Sequence, residues 1–160
     1  MSSLQNNLSN HRVNSVPSGK NFRIAIVISE WNFEITNNLY KGIVKTLKKF
    51  DVKNNNIDRI EVPGSFELIF GSKFAQNKNI YNAIIAVGSV IRGETSHFDF
   101  ICNSVSNGIK DLNVNGKTPV IFCVLTDNNM QQSIERSGGS LGNKGDEAAI
   151  AALKMAELNS

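Results

Sequence analysis

The chain has few of the residues from which redox and metal sites are built. Its 160 residues include two cysteines, Cys102 and Cys123, and two histidines, His11 and His97. Neither cysteine has the CxxC or Cys/His spacing of a metal site, and both lie in apolar segments, where a reduced thiol packs as a small hydrophobe. No metal is therefore expected, and both thiols are read as core residues of a reducing compartment. Long apolar runs are also missing: none approaches the ~20 residues of a membrane helix. The first twenty residues, MSSLQNNLSNHRVNSVPSGK, lack the hydrophobic stretch of a signal peptide. Serine richness and the absence of acids hint at a transit peptide, but arginine is scarce. Residues 1–20 read instead as a polar, flexible tail on a cytoplasmic protein. Charge of one sign is absent as well: 17 basic and 14 acidic residues, net +3, are mixed along the chain. Without a basic run or a basic patch interleaved with aromatics, nucleic acid is not an expected partner.

What is present is a regular alternation. A hydrophobic share of 41% in 160 residues supports one buried core, and no repeat or second domain boundary interrupts it. FRIAIVIS, 22–29, is a β-branched apolar run suited to a strand covered on both faces. Thr36 can cap a helix to about Phe50, with Leu39, Ile43, Leu47 and Phe50 on one face. IDRIEV follows as a second strand, and Pro63-Gly64 turns into a helix from about Ser65 to Ala75. NAIIAVGSV is a third strand before a helix from about Thr95 to Leu112. TPVIFCVL is a fourth, followed by helix NMQQSIER, a Gly-rich turn, and a last helix from about Lys144 to Glu157. The alternation predicts an α/β fold, a flavodoxin-like three-layer sandwich whose central four-stranded parallel sheet is flanked by helices.

In such folds ligands gather at the carboxyl ends of the strands. At the third end, GSVIRGETSHFD has the glycine spacing of a phosphate-binding P-loop, Gly88 to Gly93, but Glu94 replaces its lysine. A helix starting near Thr95 offers free NH groups and the positive end of its dipole, enough for one phosphate and wrong for a triphosphate with Mg²⁺. An ordinary capped helix is the competing reading. His97 falls in that first turn, where the dipole disfavours its protonated form and a neighbouring phosphate favours it, an arrangement usable for acid/base work. It competes with a plain surface or capping histidine. Arg136 and Lys144 flank the later Gly-rich turn SGGSLGNKG and are candidates for the missing cation, or else solvated helix ends. Trp31, the only tryptophan, either stacks on a planar heterocycle or plugs the edge of the core. Phe66 and Glu67 add a ring and a carboxylate, although Phe66 by itself reads as core. Together these suggest chemistry on a planar polar ring and a phosphorylated small molecule.

Three stretches, VPGSFEL, VGSVIRGETSHFD with Cys102-Asn103 after it, and IERSGG with GNKGDEAA, resemble in order and spacing the lumazine synthase family. The resemblance runs from about Phe22 to Leu158, so a lumazine synthase domain is expected over residues 21–160. It implies a transferase of riboflavin biosynthesis that makes 6,7-dimethyl-8-ribityllumazine in the penultimate step. The implied substrates are 5-amino-6-ribitylaminopyrimidinedione and 3,4-dihydroxy-2-butanone 4-phosphate, with neither metal nor organic cofactor. By position, Trp31 stacks on the pyrimidinedione, while Asn32, Ser65, Phe66 and Glu67 hold the ribityl chain. Ser89, Val90 and Ile91 run along the pyrimidine edge, and Phe122 is contributed by a neighbouring subunit. Glu94, Thr95 and Arg136 match the phosphate site, His97 the proton-transfer histidine, and Lys144 a nearby cation.

The resemblance also implies a homopentamer with active sites at the subunit interface, in some members built into an icosahedral capsid of sixty subunits. SGGSLGNKG has no insertion between the last two helices, as in shell-forming members. The N-terminal segment departs from the pattern: a strand added there to a neighbour's sheet would have to accommodate Asn14, Ser15 and Pro17. Three rival readings are an archaeal-type riboflavin synthase, a non-catalytic flavin binder and a purely structural shell protein. VPGSFEL and GNKG argue against the first, His97 with Arg136 against the second, and a phosphate site against the third.

Overall fold

A computed structural model of the chain describes residues 16–160. The expectations for a flexible tail over residues 1–20 and for a strand through Asn14 and Ser15 fall mostly or wholly outside the described residues. Within them, Val16 packs on the core, and the Gly19 amide donates to the Phe50 carbonyl at 2.6 Å.

Four strands form one parallel sheet: β1 (Ile24–Ser29), β2 (Ile57–Val62), β3 (Ala83–Ile91) and β4 (Val120–Asp127), in the order β2-β1-β3-β4. All six residues of β1 are buried, as a strand covered on both faces requires. Alternation along the strands sends side chains to two separate cores. Ile24, Ile26 and Ile28 join Ile85, Val87, Cys123 and Leu125 under α1 (Phe33–Lys49) and α5 (Lys144–Leu158). Ala25 and Val27 join Ile84, Ala86 and Val124 under α2 (Leu68–Asn77) and α3 (His97–Asn115). Each fully buried Ile or Leu contributes about 2 kcal/mol. The result is the expected three-layer α/β sandwich.

Several boundaries differ from the sequence reading, each for a local reason. The first helix begins at Phe33, with Asn32 at its start in the left-handed conformation (φ 57°, ψ 46°), which asparagine tolerates. Asn32 does not cap that helix; its Nδ2 donates to the Ser89 carbonyl of β3 at 2.9 Å. Thr36, expected as the cap, is buried inside the helix, and its hydroxyl donates back to the Phe33 carbonyl at 3.3 Å. The second helix starts at Leu68, because Ser65, Phe66 and Glu67 still form the turn begun by Pro63-Gly64. The helix expected from Thr95 starts at His97.

The short helix α4 (Met130–Arg136) leads into a feature read only as a Gly-rich turn, a small antiparallel hairpin of β5 (Ser137–Gly139) and β6 (Gly142–Asn143). Gly138 and Gly142 have φ of 125° and 84°, values that favour glycine. Glu135 closes the hairpin by accepting from the amide and hydroxyl of Ser140, bonds that hold its carboxyl below the usual range. Asn143 Oδ1 then accepts from the Gly145 amide at 2.7 Å and starts α5.

Candidate active site

The strand order reverses between β1 and β3, the switch point at which doubly wound sheets open a crevice. A cleft of about 750 Å³ lies there. Trp31 and Asn32 reach it from the end of β1; Ser65, Phe66 and Glu67 come from the turn after β2. Ser89, Val90 and Ile91 line it from the end of β3, and Thr95 and His97 from the turn and first residue of α3. Trp31 is 72% exposed, so it does not plug the core. Phe66, read alone as a core residue, is half exposed: the turn ending β2 carries it past the sheet and over the cleft. Ser89 is buried, and its hydroxyl has no hydrogen-bond partner among the described residues.

The P-loop likeness of GSVIRGET dissolves in three dimensions. Gly88 is a buried strand residue, not part of a loop; a Cβ there would come within 2.8 Å of Ser65 Oγ and 2.9 Å of Leu68 Cδ1. The glycine lets the Pro63-Gly64 turn close over the end of β3. Gly93, by contrast, has open space around it. Among the described residues, the start of α3 carries no side-chain cap bond beyond a long 3.4 Å contact from the His97 amide to Thr95 Oγ1. The Asp99 and Phe100 amides donate to the Ser96 carbonyl at 3.0 and 3.3 Å, and Thr95 and His97 of this turn line the cleft.

Among the described residues, no arginine or lysine lines this cleft. Arg92, the nearest in sequence, is bound to both Asp99 carboxylate oxygens at 2.8 and 3.2 Å and stacks over the Phe98 ring at 4.1 Å. The guanidinium holds the Asp99 carboxyl below the usual range. Glu94 is exposed on the turn and does not line the cleft.

The cations stand elsewhere. A second cleft of about 470 Å³ runs beside the edge strand β4, where Arg136 and Lys144 line it together with Phe122. Arg136 Nε lies 3.7 Å from Asp127 Oδ1, and Lys144 Nζ is 2.7 Å from Glu147 Oε2. Lys144 is thus already engaged by a carboxylate, whereas Arg136 is held at long range. Phe122 is 39% exposed on the edge strand. Among the described residues, no group of three or more His, Cys, Asp or Glu is placed to hold a metal ion.

The model of the 6,7-dimethyl-8-ribityllumazine synthase family matches residues 21–160. The chain belongs to the 6,7-dimethyl-8-ribityllumazine synthase family. Relatives of that name include one from Christiangramia forsetii, 58% identical over 96% of this chain and 92% of its own length. Another, from Flavobacterium johnsoniae, is 58% identical over 99% of this chain and 83% of its own. A third, from Phocaeicola vulgatus, is 49% identical over 99% and 94%.

For this lumazine synthase family member, the expected residues other than Glu94, which lines neither cleft, thus fall into two groups on one chain. Sequence reading missed part of each wall. Phe98, Ile101 and Met130 also line the first cleft; the spacing of His97, Phe98 and Ile101 on one helix face was the signal for two of them. Asp127 and Glu147 line the second cleft, and only the fold makes them neighbours of the two cations. Cys123 is a core thiol as expected, pushed up to about 12 by burial. Cys102 is only half-buried, since it sits on the flank of α3 and not on its inward face.

Proposed function

We propose that the protein is a 6,7-dimethyl-8-ribityllumazine synthase acting in the penultimate step of riboflavin biosynthesis. It condenses 5-amino-6-ribitylaminopyrimidinedione with 3,4-dihydroxy-2-butanone 4-phosphate and releases phosphate. An amine attacks the ketone and forms a Schiff base with loss of water. Phosphate is then eliminated, and the second amine closes the ring with loss of another water. The observation that carries this reading is the ring-walled cleft at the switch point, in a chain about half of whose residues match synthases along nearly its whole length.

In this reading Trp31 stacks on the pyrimidinedione, and Asn32, Ser65, Phe66 and Glu67 hold the ribityl chain. Ser89, Val90 and Ile91 follow the pyrimidine edge, where the unpartnered Ser89 hydroxyl is available to the heterocycle. The amides at the start of α3 and Thr95 receive the phosphate, Glu94 contributing main chain only, and His97 moves protons beside the carbon that loses it. The stabilising cation is Arg136 of an adjacent copy, arriving with Phe122 and Lys144 from the second cleft. The lack of a cation in the first cleft among the described residues and the presence of Arg136 and Lys144 in the second support this division. So do the exposed rings of Phe70 and Phe100 outside both clefts, which a lone chain would leave in water. The working unit is a homopentamer of residues 21–160 in the cytoplasm, and sedimentation separates it from a sixty-subunit shell.

The deciding experiment mixes the purified protein with both substrates and follows lumazine absorbance, with Arg136→Ala as control. Lumazine formation by the wild type and its near loss in the variant are expected. Formation no faster than the uncatalysed background would overturn the activity; wild-type turnover in Arg136→Ala would overturn the phosphate assignment.

A further inference from the structure

Asp127 closes β4 and is 6% exposed, a costly place for a carboxylate. Its two oxygens are used differently. Oδ2 accepts a 2.8 Å hydrogen bond from the hydroxyl of Ser133, which is fully buried. Oδ1 faces Arg136 Nε at 3.7 Å, beyond hydrogen-bond range but close enough for a charge attraction. Ser133 and Arg136 are three residues apart on α4 and so share a face, the one turned to the end of β4. One carboxylate thereby ties the last turn of a seven-residue helix to the sheet at two points.

We propose that Asp127, anchored by Ser133, is a positioning residue that aims the Arg136 guanidinium. The inference rests on the proposed role of Arg136 as the phosphate cation. An arginine side chain loses about 2 kcal/mol of rotamer entropy when fixed, and no other side-chain bond holds Arg136 among the described residues. A closed bidentate pair would fix the guanidinium but occupy its donors. The single long contact to Nε orients the group and leaves its terminal nitrogens for an incoming phosphate. The Asp127 carbonyl also accepts from the Arg92 amide at 2.9 Å. The strand end that directs Arg136 is therefore fixed to the segment that begins the Gly93–Thr95 turn.

The test is steady-state kinetics on Asp127→Asn, Arg136→Ala and their double variant, each checked for wild-type assembly. Asp127→Asn keeps the shape and an oxygen for Ser133 while removing the charge. The KM for dihydroxybutanone phosphate is expected to rise about tenfold, with that for the pyrimidinedione unchanged. Adding Asp127→Asn to Arg136→Ala is expected to cost nothing further, because the residue acts through Arg136. Ser133→Ala should reproduce the same selective rise at smaller size, and it decides the matter if Asp127→Asn does not assemble. Equal changes in both KM values, an unchanged or lowered KM for the phosphorylated substrate, or full additivity in the double variant would overturn the proposal. If Arg136→Ala alone is unimpaired, the phosphate assignment falls first and takes this inference with it.

Discussion

The cleft between β1 and β3 is walled by Trp31, Phe66 and Phe98 and has no cation among the described residues, whereas the cleft beside β4 has two cations and one exposed ring, Phe122. The first offers aromatic faces to a flat heterocycle; in the second each cation faces a carboxylate, Lys144 closely and Arg136 at long range. Neither is a whole site for a reaction that joins a pyrimidinedione to a phosphorylated ketone. The contrast also extends to how each is held. The first is built on main chain and tight backbone approach, as at Gly88 and at the Asn32 bond to Ser89. The second depends on carboxylates that restrain long basic side chains. Under the proposed reading, adjacent copies of the chain bring the two clefts together.

The strongest way to break that comparison is cross-complementation. Arg136→Ala disables the cationic cleft and Ile91→Trp fills the aromatic one; each alone is expected to lose about a thousandfold in kcat/KM. Co-expressed in equal amounts, they should recover about a quarter of wild-type activity, because that share of mixed interfaces joins two intact halves. No recovery in mixed assemblies would place the whole site in one chain.

Next in size is His97→Ala. Its kcat should fall about a hundredfold, the scale of one general acid/base group. Turnover should nevertheless stay above background, since holding both reactants together supplies much of the rate. A dead enzyme would assign His97 more than proton transfer. Trp31→Ala probes the aromatic side alone: a rise of about fivefold in the pyrimidinedione KM is expected, reversed by Trp31→Phe. A matching rise for the phosphorylated substrate would show that the two clefts are not chemically separate. The smallest effect belongs to Glu94→Ala, which should shift the KM of dihydroxybutanone phosphate by less than about twofold, because only a backbone NH is used there. A tenfold change would bring its side chain into the site.

Much of the fold was legible because buried strands and amphipathic helices write their period into the sequence. The run IAIVIS and the spacing of Leu39, Ile43 and Leu47 needed no tertiary information. Boundaries were harder. Thr36 looks like a cap, yet Asn32 starts the helix while giving its side chain to a strand far away in sequence. Phe66 looks like core, yet the turn after β2 carries it over an open cleft. The glycines of GSVIRGET look like a phosphate loop, yet Gly88 serves a crossing turn and its side of the pattern lies inside a strand.

For the candidate site, residue types and order were readable, and the motifs selected most of the wall of the first cleft. Their grouping was not. Arg136 was expected beside Thr95 and His97, and nothing linear says that it lines a different cleft from them. By itself the sequence determined the α/β class, the strand ends that open onto the first cleft and the family, since these follow from local periodicity and local motifs. Only the tertiary structure decided which strand ends meet, that rings and cations are parted by the edge of the sheet, and that Asp127 stands behind Arg136. Those are distances between segments far apart in the chain, set by sheet order and by side-chain contacts that no local pattern encodes.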